Sequence, residues 1–172
     1  MPAINDLPTD LTDLAKAVLD AARARKKRIV TAESCTGGLL GGCLTANAGS
    51  SEVVDCGFIT YSDESKSRML GVPRDAIAGM GAVSDLVASA MAEGALAQTD
   101  AHMAVSITGI AGPGGGTKEK PIGLVYMALA QTDRDALIKR YVFAGTRSDI
   151  RRAAVGAALE MLLNSLKKEP AD

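Results

Sequence analysis

The chain has 172 residues, 47% of them apolar and 23% charged, with 18 Gly, 6 Pro, 3 Cys, one His, no Trp and a formal net charge of −1. That balance excludes a disordered or low-complexity chain, and the length fits one domain able to bury about 70% of the surface its unfolded chain exposes. No apolar run approaches the roughly 18 residues of a membrane span, and Met1–Asp10 lacks the basic start and apolar centre of a signal peptide, so the expected location is the cytoplasm.

Leu11, Leu14, Ala15, Val18, Leu19 and Ala22 recur with the rhythm of an amphipathic helix over Leu11–Arg25. The basic run Arg23–Arg28 is read as the cationic last turn of that helix rather than as a nucleic-acid patch, because aromatic residues make up only 3% of the chain. Arg28–Ala32 reads as a short strand, Glu33–Gly38 as a polar turn and Leu39–Ala46 as a helix of small residues. Val53–Tyr61 is a second strand. Ser62 caps a helix that runs to Leu70 and is ended by Gly71. Ser84 caps another, Asp85–Gln98, and His102–Thr108 is a buried strand feeding the turn Gly109–Gly116. Ile122–Ala130 and Ala136–Ala144 form a hairpin across Gln131–Asp135, and Thr146 with Asp149 opens a last helix, Arg147 to about Leu166. The alternation predicts one α/β domain over residues 1–172, a three-layer α/β/α sandwich with a mixed sheet.

Cys35, Cys43 and Cys56 are odd in number and lie among apolar or glycine neighbours, which predicts reduced thiols. With His102 the only histidine, most metal sites and the Ser/His/Asp and Cys/His arrangements are disfavoured, and His102 is read as structural. The scattered methionines read as core filling.

Ligands of open α/β sheets bind beyond the carboxyl ends of strands, and three such ends carry polar or glycine-rich sequence. Ser34-Cys35-Thr36-Gly37-Gly38 puts hydroxyls at a predicted helix start, suited to a phosphate or oxyanion and equally to an ordinary capped turn. Tyr61 closes the second strand, with Lys66 five residues on in the first turns of the next helix. A lysine there opposes the helix dipole, which favours the neutral amine once the group is desolvated; the plain reading is a solvated lysine paired with Asp63 or Glu64. Gly109–Gly116 has five glycines in eight positions and reads as an anion-binding nest or a flexible surface loop. It matches neither the Walker nor the dinucleotide pattern. Lys118, Lys120, Arg147, Arg151 and Arg152 add positive charge nearby, as a phosphate clamp or simply as surface charge.

Taken together, TAESCTGG at Thr31–Gly38, AGSS at Ala48–Ser51, GFITYSDESK at Gly57–Lys66 and GAVS at Gly81–Ser84 form a recognisable series. With SITGIAGPGGG at Ser106–Gly116 and KPIG at Lys120–Gly123, the chain resembles the CinA C-terminal domain family over about residues 10–166. Enzymatic members of that family are nicotinamide-nucleotide amidohydrolases. The resemblance implies hydrolysis of the carboxamide of nicotinamide mononucleotide to nicotinate mononucleotide and ammonia in pyridine-nucleotide recycling, with no metal and no cofactor. It also implies a homo-oligomer with a small-molecule nucleotide substrate and neither nucleic acid nor membrane as partner. Carried over by motif, Ser34 is the nucleophile, Lys66 its general base and Tyr61 the polar group that orients the pair or relays a proton. Ser51, Thr108, Gly109 and Arg147 are then substrate-binding positions, Arg147 for a phosphate, and the helix start at Thr36, Gly37 and Gly38 supplies oxyanion or phosphate donors.

A lysine base also suits the composition, since a serine hydroxyl needs a base and one histidine is all the chain has. Gly114 and Lys118 depart from the family pattern, which often has acids there, and bear on substrate affinity more than on bond breaking. Full-length CinA proteins carry a separate N-terminal domain for which 172 residues leave no room, so the expectation is a stand-alone form. Two other readings stand beside this one: a catalytically silent, competence-associated nucleotide-binding module, and an enzyme with Cys35 as nucleophile.

Overall fold

The structure, a computed structural model, describes residues 7–132 and 134–168. Most of the leader reading of Met1–Asp10, and Asp133 of the predicted hairpin connection, therefore lie outside the described residues.

Helix α1 (Thr9–Arg23) leads into β1 (Ile29–Glu33), α2 (Leu39–Thr45), a short 3-10 turn at Ser50–Glu52, and β2 (Val54–Ile59). Helices α3 (Asp63–Leu70), α4 (Arg74–Met80) and α5 (Asp85–Ala97) follow, then β3 (Met103–Gly109), β4 (Leu124–Gln131), β5 (Arg134–Val142) and α6 (Arg147–Lys168). The strand order is β2-β1-β3-β4-β5, with β2, β1 and β3 parallel and β4 antiparallel to both of its neighbours, β3 and β5. The mixed α/β/α sandwich expected from the sequence is thus present. No helix of the described residues is long and apolar enough to cross a membrane.

Alternation along each strand builds the two cores. Ile29, Met103, Val105, Ile107, Val125 and Met127 face α1, α2 and α6, while Val30, Ala32, Ala104, Ala128 and Ala130 face α3 and α5. Each fully buried leucine or methionine, such as Leu19 or Met91, contributes roughly 2 kcal/mol. The second core is built from alanines, so its helices approach closely. A Cβ on Gly94 of α5 would stand 1.8 Å from the Leu70 carbonyl oxygen of α3, which leaves no room for a side chain.

The caps follow the sequence. Ser62 Oγ accepts from Ser65 N, Ser84 Oγ accepts from Val87 N, and Gly71 ends α3 in the left-handed region. Thr146 and Asp149 exchange the reciprocal bonds of a capping box. One expectation is corrected and one element is new. Of the basic run only Arg23 stands in the last turn of α1, which stops there; Lys26 at φ 49 then turns the chain so that Lys27 N bonds back to Ala22 O. The short α4 was not anticipated; its mark in the sequence is Pro73 ahead of Arg74 with Asp75 in the first turn. His102 is structural as expected, its Nδ1 accepting from Arg28 N at 2.9 Å.

Connections leave β1 and β3 towards opposite edges of the sheet, so the switch-point crevice opens at their carboxyl ends. Ser34 N donates to Ile107 O at that point.

Candidate functional site

Ser34 follows β1 directly, Thr60 and Tyr61 follow β2, Thr108 and Gly109 end β3, and α6 begins above them with Arg147. Ser62 fixes the start of α3 and so places Lys66 on the helix's inner face. Its side chain is 1% exposed, and Nζ donates to Ser34 Oγ at 3.1 Å and to Thr60 O at 3.0 Å. Asp63 Oδ1 stands 3.9 Å from Nζ on an exposed side chain. Burial lowers the Lys66 pKa below the ordinary lysine value, with Asp63 and then Cys35 pulling the other way. The lysine is therefore not solvated: its amine is desolvated, within hydrogen-bond reach of a hydroxyl, and keeps Asp63 as a long ion-pair partner.

Tyr61 stands at the mouth of the site rather than against the Ser34–Lys66 pair. Along the extended segment after β2, Thr60 turns inward and Tyr61 outward, 57% exposed, and the Tyr61 hydroxyl accepts from Arg147 Nη2 at 2.8 Å. Among the described residues its partner is Arg147, not Ser34 or Lys66. Arg147 Nη1 also donates to Gly112 O at 2.9 Å, so this arginine spans the mouth from tyrosine to glycine loop.

The helix start at α2 is already occupied. Buried Glu33 accepts from Thr36 Oγ1 at 2.6 Å, Gly38 N at 3.0 Å, Leu40 N at 3.1 Å and Gly41 N at 2.8 Å. Gly37 N is turned to Ser34 O. Of the three expected donors, the N–H of Gly37 and Gly38 are spent inside the protein, and that of Thr36 has no acceptor among the described residues. Glu33 was missed because it was read as one more polar turn residue; an acid just ahead of a helix start is the signal that finds it. In Glu33→Gln the new NH2 would face an N–H donor, so the variant should lose about 2 kcal/mol in urea denaturation.

Thr108 is buried, its hydroxyl donating to Ala82 O at 2.8 Å. A Cβ on Gly109 would meet Leu124 O at 2.8 Å, which ties this glycine to close packing of β3 on β4. Lys120 Nζ donates to Val83 O at 2.8 Å and to Met80 O, pinning the GAVS segment to the glycine loop. At Gly114, where the family pattern is departed from, a Cβ would have open space. Ser51 is not brought to this group. It lies at the amino end of β2, in a cavity of about 350 Å³ with Thr31, Thr45 and Cys56.

Cys35, adjacent to Ser34, is buried, and its thiol is pushed up to about 11, chiefly by burial and further by Glu33. That thiol is protonated at neutral pH, which weighs against it as nucleophile. Among the described residues no group of three or more His, Cys, Asp or Glu is placed to hold a metal ion.

The family model of the CinA C-terminal domain matches residues 11–166. The nicotinamide-nucleotide amidohydrolase PncC of Escherichia coli K12 is 45% identical over 154 residues, 90% of this chain and 93% of its own length. A CinA-like protein of Leptospira biflexa is 46% identical over 162 residues, 94% of this chain, which spans only 38% of that relative's length. The crystal structure of competence/damage inducible protein CihA from Agrobacterium tumefaciens has a TM-score of 0.90 at 45% identity, covering 94% of this chain and 98% of that chain. With that family model covering most of the chain and relatives this similar over nearly all of it, the chain belongs to the CinA C-terminal domain family.

Proposed function

We infer that this protein hydrolyses the carboxamide of nicotinamide mononucleotide, a metal-independent Ser/Lys amidohydrolase of pyridine-nucleotide recycling that works in the cytoplasm as a homo-oligomer. The observation that carries the reading is the 3.1 Å contact between Ser34 Oγ and the buried Lys66 Nζ. The name of the Escherichia coli relative supports the substrate.

Lys66, uncharged, takes the hydroxyl proton as Ser34 Oγ forms a bond to the carboxamide carbon. The Thr36 N–H, which has no acceptor within the described protein, is left for the developing oxyanion. The Lys66 ammonium passes its proton to the departing nitrogen, the C–N bond breaks, and ammonia leaves. Water then adds to the Ser34 ester with Lys66 again as base. Collapse releases nicotinate mononucleotide and returns the proton to Ser34. Thr60 O orients Nζ throughout, Tyr61 and Arg147 frame the mouth, and Thr108 and Gly109 at the end of β3 are further substrate-binding positions of this scheme. Arg147 is the phosphate contact of this scheme.

Ammonia release from nicotinamide mononucleotide by the purified chain tests the reading. Release at a rate proportional to enzyme is expected; binding without release is the result of a silent nucleotide-binding module.

A further inference from the structure

The first two turns of α6 carry three cations, Arg147, Arg151 and Arg152, at the end of a helix where its dipole disfavours positive charge. Arg152 is neutralised by Asp10 at 2.7 Å. Arg147 and Arg151, one turn apart on the same face, make no ion pair among the described residues, and their hydrogen bonds go to uncharged oxygens. Arg151 Nη2 donates to Thr36 O at 2.7 Å, and its Nε is buried with no acceptor. A desolvated N–H left unpaired costs free energy unless a ligand completes it. Arg151 Nη2 also stands 3.7 Å from where a Cβ on Gly37 would be, so its charge lies against the turn that holds Ser34.

We propose that Arg151, together with Arg147, seats the terminal phosphomonoester of the substrate, and that Arg151 thereby selects the mononucleotide over the nucleoside that lacks the phosphate. The identity of the rest of the substrate rests on the reading above. A phosphate dianion takes bidentate hydrogen bonds from planar guanidinium forks, and residues i and i+4 present two such forks side by side. Arg147 is held by the glycine loop and Tyr61, Arg151 by the carbonyl of Thr36 two residues beyond the nucleophile. An anion shared by the two is therefore held in register with Ser34 Oγ, so that phosphate binding positions the far end of the molecule. The competing role for Arg151 is support of the Thr36 turn and compensation of buried Glu33, which would serve every ligand alike.

Calorimetry on Ser34→Ala and Ser34→Ala/Arg151→Gln, with nicotinamide mononucleotide and nicotinamide riboside, separates the two roles. The mononucleotide should bind the double variant roughly ten- to hundred-fold more weakly, with the riboside changed by less than about threefold. Equal weakening of both ligands, or of neither, overturns the proposal. Ribose 5-phosphate, tested on the unsubstituted chain and on Arg151→Gln, addresses the anion seat by itself. Weaker binding to the variant supports the seat even if the unsubstituted chain releases no ammonia from the mononucleotide, in which case the amidohydrolase reading fails and the seat stands. Equal binding, or none to the unsubstituted chain, removes the seat. Should Arg151→Gln fail to fold, Arg151→Lys keeps the charge without the fork and should show the same selective loss in smaller measure, equal loss for both ligands again overturning it.

Discussion

Ser34→Ala is expected to abolish ammonia release from nicotinamide mononucleotide, by about 10³-fold or more in kcat, while Cys35→Ala stays within about threefold. The two side chains are neighbours in sequence but differ in their chemistry. Ser34 Oγ has Lys66 Nζ at 3.1 Å, whereas the Cys35 thiol is buried, pushed up to about 11, and packed into the core against α2 and α6. Removing the hydroxyl removes the atom that forms the ester; removing the thiol costs packing, which thermal melting would register separately. Steady-state ammonia release by the two variants checks this. Retained turnover in Ser34→Ala would take serine out of the mechanism, and loss confined to Cys35→Ala would give the role to the thiol.

The second large effect concerns Lys66→Met, for which activity falls by roughly 10²- to 10⁴-fold while the fold becomes more stable. Methionine keeps much of the volume and removes an amine whose only close ionic neighbour among the described residues is the exposed Asp63 at 3.9 Å. The pH dependence follows from the direction of the shift. Burial lowers the folded-state pKa beneath the ordinary value of 10.5, so between the two values the unfolded chain holds a proton that the folded chain has shed. Stability therefore rises with pH across that window and, below it, carries the full cost of the buried ammonium. Urea denaturation as a function of pH should show this rise in the natural chain and lose the Lys66 contribution in Lys66→Met. Over the same window kcat/KM should climb as the base becomes uncharged, with a midpoint under 10.5.

Much of the fold was legible because its signals are local. The i, i+3, i+4 rhythm of Leu11 to Ala22, the Ser62 and Ser84 caps, and the reciprocal pair Thr146 and Asp149 each act within one or two turns. Boundaries moved by one or two residues, and α4 escaped notice because seven residues containing a glycine offer too little periodicity. At the site, Ser34 and Lys66 are 32 positions apart, and the motifs they stand in marked both; their juxtaposition depends on β1 and β2 being parallel neighbours.

What the sequence concealed is where side chains turn. Tyr61 was expected on the catalytic pair, but strand alternation sends it outward to Arg147 while Thr60 offers its carbonyl to Lys66. Glu33 looks from its type like a solvated acid, and only the path of the turn reveals that it fills the start of α2 in place of an external anion. Ser51 stands in a matched motif, yet it lies at the opposite end of β2 from Tyr61. Arg151 and Arg152 are adjacent and chemically identical; one helical step sends the second to Asp10 and the first to Thr36.

Lys66 must be an uncharged amine when Ser34 reacts, and titration of its Nζ by nitrogen NMR in the resting protein tests this. A midpoint below the ordinary lysine value, coinciding with the rising limb of kcat/KM, is expected. A Lys66 that stays charged throughout the pH range of full activity would contradict it.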